Sequence, residues 1–115
     1  MGDMISFEEI TAFLQKDLKQ RYCIEIRFSV KGMAEYDFCW MGKMPDPANQ
    51  AKDCYWYGLS PDGSQAYDYD NLDVFLSAPV FDGRSLRQVW KDVKLESING
   101  GEPEYWLPEK NGIQP

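Results

Sequence analysis

Cys23, Cys39 and Cys54, together with the aspartates of the stretch CYWYGLSPDGSQAYDYD from Cys54 to Asp70, are the side chains with which this sequence could do chemistry. Each cysteine falls out of phase with the large apolar residues around it, so the three are expected to share one sheet face. Zinc sites, however, are built from close Cys-x-x-Cys pairs, and these cysteines stand 15 and 16 residues apart. A free cysteine in such a place behaves as a small hydrophobe, and no metal is expected. Asp68, Asp70 and Asp73 are spaced loosely like a calcium loop, but Leu72 stands where the third oxygen ligand belongs. Asp70 reads instead as a helix cap, Asp73 as a first-turn acid and Asp62 as a turn residue.

The sequence contains no histidine. That removes the usual neutral-pH general base, the Ser-His and Cys-His nucleophile systems and the commonest zinc ligand. Neither a Gly-x-Gly-x-x-Gly run nor a Walker loop is present, and no carboxylate pair is singled out by its spacing. The expectation is a non-enzymatic protein without catalytic residues or cofactor.

The aromatic stretch is expected to be two antiparallel strands. Pro61 presets the second position of a type I turn and Gly63 accepts the left-handed conformation that follows, which gives a three-residue loop. Ser60 then faces Ser64, Tyr57 pairs with Tyr67 and Tyr55 with Tyr69. Trp56 and Asp68 take the other face. A two-residue Asp-Gly loop would instead pair Trp56 with Tyr69. Cross-strand tyrosine pairs stabilise a sheet, so a partner surface is sought on the face opposite them.

Charge sharpens that choice. The chain has 115 residues and a net charge of -7, and the segment from Asp53 to Asp82 carries six aspartates and no Lys or Arg. An acidic surface disfavours nucleic acid and anionic membrane and favours encounter with a basic protein. Trp56, Asp62, Asp68, Asp70 and Asp73 are therefore the expected partner-binding residues. Arg84, Arg87, Lys91 and Lys94 form a basic edge that could lie against the acidic segment, within one chain or across an antiparallel homodimer.

These residues need positioning elements. Ser6 and Glu9 make a capping box with Ile5 and Ile10 as a hydrophobic staple, which predicts a helix over 6–20. Tyr22, Ile24, Ile26 and Phe28 predict an inward-facing strand, and Tyr36, Phe38 and Trp40 a second one. Gly42 to Asp53 reads as a long connection. After the hairpin come a short helix from Asp70 to Pro79, a helix over 85–93 capped by Ser85 and Gln88, a strand from Leu95 to Ile98, and a Pro103 turn burying Tyr105, Trp106 and Leu107. The order is αββββααβ: one α+β domain over 1–115, frayed at 1–4 and 110–115, with a four- or five-stranded mainly antiparallel sheet packed on an N-terminal helix and two later helices. No apolar run is long enough to span a membrane, the N-terminus lacks a secretion signal and the cysteine number is odd, so a cytoplasmic location is expected.

The run PVFDGRSLRQVW, followed by Ile98-Asn99-Gly100, resembles runs in small acidic bacterial single-domain proteins of no assigned activity. In size, acidity and element order the chain is also similar to immunity proteins of bacterial toxin systems, which implies binding to a cognate toxin and assigns no residue. The expected function is a protein-binding module of an immunity-like kind that turns its acidic hairpin and the 42–53 connection toward a basic partner. Two alternatives are a small-molecule binder or carboxylate–tyrosine enzyme with a pocket between sheet and helices, and an oligomeric structural protein of a mobile element.

Overall fold

The computed structural model describes residues 5–15 and 23–103. Its elements are α1 (Phe7–Gln15), β1 (Ile24–Val30), β2 (Cys39–Asp46), β3 (Asn49–Gly58), β4 (Ala66–Tyr69), α2 (Leu72–Ser77), α3 (Leu86–Val89) and β5 (Val93–Ile98). This is the αββββααβ order expected from the sequence. All pairings in the five-stranded sheet are antiparallel, and the strand order is β4-β3-β2-β1-β5. The chain thus builds four neighbouring strands in meander, crosses the sheet through α2 and α3, and adds β5 to the far edge.

Local signals fix the helix starts. Ser6 Oγ accepts from Glu9 N at 3.0 Å while Glu9 Oε1 accepts from Ser6 N at 2.8 Å, the reciprocal capping that satisfies two orphan donors. Ser85 and Gln88 do the same for α3. That helix is shorter than the sequence suggests: a 3-10 turn takes over at Trp90–Asp92 and β5 starts at Val93. The expected helix residues beyond Gln15, the strand residue Tyr22 and the Tyr105–Leu107 turn lie outside the described residues.

One face of the sheet carries all three helices. Ile10, Phe13 and Leu14 of α1, Phe75 and Leu76 of α2, and Leu86 and Val89 of α3 join Ile24, Ile26, Phe28, Met41, Tyr55, Tyr57 and Ile98 in a single core. No helix among the described residues is long and apolar enough to cross a membrane.

Two sequence expectations fail here, each for a physical reason. In β2 the phase is inverted. Tyr36 lies in a 3-10 turn, Ala34–Tyr36, that packs its ring edge-on against Phe81. The chain therefore enters β2 one step out of phase, and Cys39, Met41 and Lys43 face the core opposite Phe28, Ile26 and Ile24. Trp40 then points to the other face, and Phe38 is 47% exposed. Gly42 to Asp53 is likewise no connection but most of a tight hairpin, in which Asp46 pairs with Asn49 across Pro47-Ala48. Asp46 Oδ1 accepts from Ala48 N at 2.8 Å and closes the turn. Pro45 is tolerated because it lies past the last β1–β2 pair, Ile24–Lys43, where its missing N–H costs no ladder bond.

Lys43 is the charged residue brought inside by this phase. Its stem is buried, and Nζ donates to the Leu14 carbonyl at 2.8 Å and lies 3.5 Å from the Asp53 carboxylate. The ammonium thus meets a carbonyl of α1 and a carboxylate of β3, which offset the cost of burying it.

Candidate functional site: the open face of the sheet

The hairpin has the register expected from Pro61 and Gly63. Tyr55 pairs with Tyr69, Trp56 with Asp68, Tyr57 with Tyr67 and Gly58 with Ala66. Gly63 N donates to the Ser60 carbonyl at 3.2 Å and Gly63 adopts φ 80°, a value glycine takes without steric cost. Tyr57 is fully buried, Tyr55 is nearly so, and Tyr67 and Tyr69 pack against the core. Tyr55 and Tyr57 are core residues, and Tyr67 and Tyr69 are half-buried against them.

No helix among the described residues packs on the opposite face. Across its middle, Trp56 stands beside Gly42 of β2 and Trp40 beside Gly58 of β3. A side chain at position 42 would meet the Ile24 carbonyl and, at 2.8 Å, the Trp56 ring, so the indole lies directly on the bare glycine backbone. Phe38 meets Trp40 edge-on with ring centroids 6.2 Å apart, and the Arg27 guanidinium sits 5.1 Å from the Phe38 ring centre. Met44 and Cys54, paired with each other, continue the face, and both are half-buried. The result is an apolar centre of two indoles, one phenyl ring and a thioether on the solvent side of the sheet.

On the β4 side of this centre lies an acidic hollow of about 420 Å³, lined by Asp46, Pro47, Cys54, Asp68, Tyr69 and Asp70. Burial, reinforced by the Asp68, Asp46 and Asp70 charges, holds the Cys54 thiol above its ordinary range. Among the described residues no lysine or arginine lines the hollow.

Of the five residues expected to bind a partner, the structure brings Trp56, Asp68 and Asp70 together at this place. Asp70 is not the cap of α2: Asn71 is, its Oδ1 accepting from Val74 N at 3.1 Å. The preceding residue continues the β4 alternation and faces the hollow. Asp62 stands apart at the hairpin tip, where it accepts from Ser60 Oγ at 2.9 Å and Ser64 N at 3.0 Å. These bonds hold its carboxyl below the usual range and give it a structural use. Asp73 is exposed in the first turn of α2, away from the aromatic centre.

Sequence reasoning missed Trp40, Phe38 and Asp46. The first two follow from the inverted phase of β2. Asp46-Pro-Ala-Asn49 was readable as a tight turn, because Asp at such a position closes the backbone through its own carboxylate.

The three cysteines do not share a face: Cys39 is buried in the core, Cys54 opens on the acidic hollow and Cys23 is exposed ahead of β1. Among the described residues no group of three His, Cys, Asp or Glu is arranged to hold a metal ion. The basic edge does not meet the acidic segment within the chain. Arg87 lies over the Phe7 ring at 4.7 Å, Arg84 approaches Met33 Sδ at 3.7 Å, and Lys91 and Lys94 are exposed beside the start of β5, at the sheet edge opposite β4.

Compared with known proteins, the chain matches no family model, no curated protein and no solved structure.

Proposed function

We propose that the protein is a non-enzymatic binding module, of the immunity-protein kind, that takes a basic protein partner on the open face of its sheet. The observation that carries this reading is the half-buried centre of Trp40, Trp56 and Met44 with the exposed Phe38 beside it, set next to Asp46, Asp68 and Asp70. Interface centres are enriched in aromatic residues and methionine with a polar rim around them. Here the hollow on the β4 side is lined by three carboxylates and, among the described residues, by no lysine or arginine. A partner arginine laid on the Trp56 ring would place its guanidinium within reach of the Asp68 and Asp70 carboxylates, combining cation–π attraction with charge-assisted hydrogen bonds.

The test is affinity capture from the native host with immobilised wild-type protein and three variants. A specific partner is retained at low salt, is released as salt rises, is lost with Asp68→Lys and with Trp40→Ala, and is kept by the Asp62→Asn/Asp73→Asn double variant. Retention of the same proteins by wild type and Asp68→Lys at every salt concentration would overturn the reading.

A further inference from the structure

The backbone of the open face restricts what can lie on it. β2 runs between β1 and β3, and β3 between β2 and β4, so beneath Trp40, Met44 and Trp56 the N–H and C=O groups of both strands are directed into ladders. An extended peptide laid there would find no backbone partner, and its own polar groups turned against the indoles would be left unpaired at the cost of their desolvation. An α-helix bonds its backbone internally and brings only side chains to the contact. From Phe38 to Met44 the apolar centre follows β2 for about 20 Å at the rise of a strand, a length that a helix of about 13 residues spans. Gly58, paired with Trp40, is bare backbone: a methyl group there would meet nothing closer than 3.9 Å, from Trp40 and Trp56. The two indoles thus border a notch that one apolar side chain of a helix fits.

The charges on this face are unevenly spread. On β1 and β5, Arg27 and Lys94 stand with Glu25 and Glu96 and balance, Glu96 accepting from Ser29 Oγ at 3.2 Å. On β2 to β4, Asp46, Asp68 and Asp70 outnumber Lys52, which the strand alternation from Cys54 puts on the same side. Two negative charges are left over, on the β4 flank, where Asp68 and Asp70 are both exposed.

We propose that the occupant of the open face is one basic amphipathic helix of the partner. It lies along β2 and β3 with its apolar stripe on Trp40, Trp56 and Met44, and it carries arginine or lysine on one flank only, the flank that faces β4. The neutral β1 side asks for no net charge from the helix flank above it. The proposal rests on the partner-binding reading and adds to it the partner's secondary structure and the side on which its cations stand.

Three synthetic peptides of about 14 residues test it, the length that covers the apolar centre. The first has leucines at helical spacing and arginines along one flank. The second carries glutamates in place of the arginines, and the third has the composition of the first with leucine and arginine in strict alternation, a strand pattern. Each is titrated into the full-length protein while the indole N–H resonances of Trp40 and Trp56 and the circular dichroism of the mixture are followed. The helical arginine peptide should saturate both indoles, gain helix on binding and bind about tenfold more tightly than either of the others at low salt. Asp68→Lys should erase its advantage over the glutamate peptide. Asp73→Lys makes the same change of net charge at an exposed position of α2, away from this face, and should leave that advantage intact. Trp40→Ala should weaken both helical peptides. Equal or tighter binding of the alternating peptide, with the same dependence on Asp68, overturns the helix and leaves a basic partner standing. Binding of the arginine peptide that ignores Asp68→Lys, or shifts centred away from both indoles, overturns the helix and the basic-partner reading together. No saturation overturns the helix, and capture with the Asp68→Lys variant then tests the basic-partner reading on its own.

Discussion

The Tyr57 hydroxyl donates to the Phe75 carbonyl at 2.8 Å while the two rings stack at 4.2 Å with their planes 11° apart. The carbonyl belongs to α2, and its regular helical donor would be the N–H of residue 79, which is proline. Tyr57 therefore supplies the hydrogen bond that Pro79 cannot give, and it does so from the central part of the sheet. Tyr57→Phe keeps the stacked ring and leaves that carbonyl without its donor. It should cost about 1 kcal/mol at pH 7, read as a lower urea midpoint. Burial pushes the Tyr57 phenol far above its ordinary value, so the folded chain keeps the proton while the unfolded chain loses it above pH about 10. Its stabilising effect is complete below that pH and declines as pH rises past it. Between pH 9 and 11 the variant should lose stability less steeply than the wild type.

Gly42 and Gly58 both lie on the open face, and their surroundings differ. At position 42 a methyl group would collide with the Ile24 carbonyl and the Trp56 indole, whereas at 58 the nearest atoms are 3.9 Å away. Gly42→Ala should therefore destabilise by about 3 kcal/mol, the upper end of overpacking costs, because one of the obstacles is backbone. Gly58→Ala should change stability by about 0.5 kcal/mol or less. Denaturant unfolding of the two variants checks the contrast, and equal effects would remove the packing of Trp56 on Gly42 as its basis.

What could be read from the sequence was what short stretches of chain decide for themselves. Pro61 and Gly63 fix the hairpin register within a few residues, and Ser6–Glu9 and Ser85–Gln88 fix helix starts by bonds three residues long. The face of β2 was not legible, because it depends on how many residues the 3-10 turn around Tyr36 consumes, and that turn is stabilised by Phe81 far along the chain. The candidate site inherited the same division. Trp56 and Asp68 were placed by the local turn, while Trp40, Phe38 and Asp46 needed the β1–β2 and β2–β3 registers. The α2 cap was misread by one residue because Asp70 and Asn71 are equally good capping residues, and the strand alternation through Tyr69 decides between them.

The thiols should report on this geometry by their rates of disulfide exchange with an aromatic disulfide reagent. Cys23 is exposed and should react first. Cys54 is half-buried and held in the thiol form by burial and by Asp68, Asp46 and Asp70, so it should react slowly at pH 8. Cys39, whose thiol is pushed up to about 11 chiefly by burial, should react only on unfolding, since the thiolate is the attacking species. Asp68→Asn should speed Cys54 labelling about twofold at low salt, the scale of one solvent-screened charge interaction. Raising salt to about 0.5 M should erase the difference, because screening then acts within a few ångströms.

The same substitution separates a structural from a functional use of the acidic hollow. Asp46, Asp68 and Asp70 line one small hollow to which no described residue adds a cation, and like charges in such a place destabilise the folded chain through mutual repulsion. If the carboxylates served the fold, removing one would cost stability. On the arrangement described here, Asp68→Asn should leave stability unchanged or raise it by about 0.5 kcal/mol, most clearly at low salt, with Asp70→Asn behaving alike. Asp62→Asn, by contrast, weakens the acceptor that Ser60 Oγ and Ser64 N share and should loosen the hairpin turn, seen as faster amide exchange at Ser64 and Gln65. A fall in the urea midpoint for Asp68→Asn as large as that for Tyr57→Phe would mark the hollow as part of the folding scaffold and remove it as a partner surface.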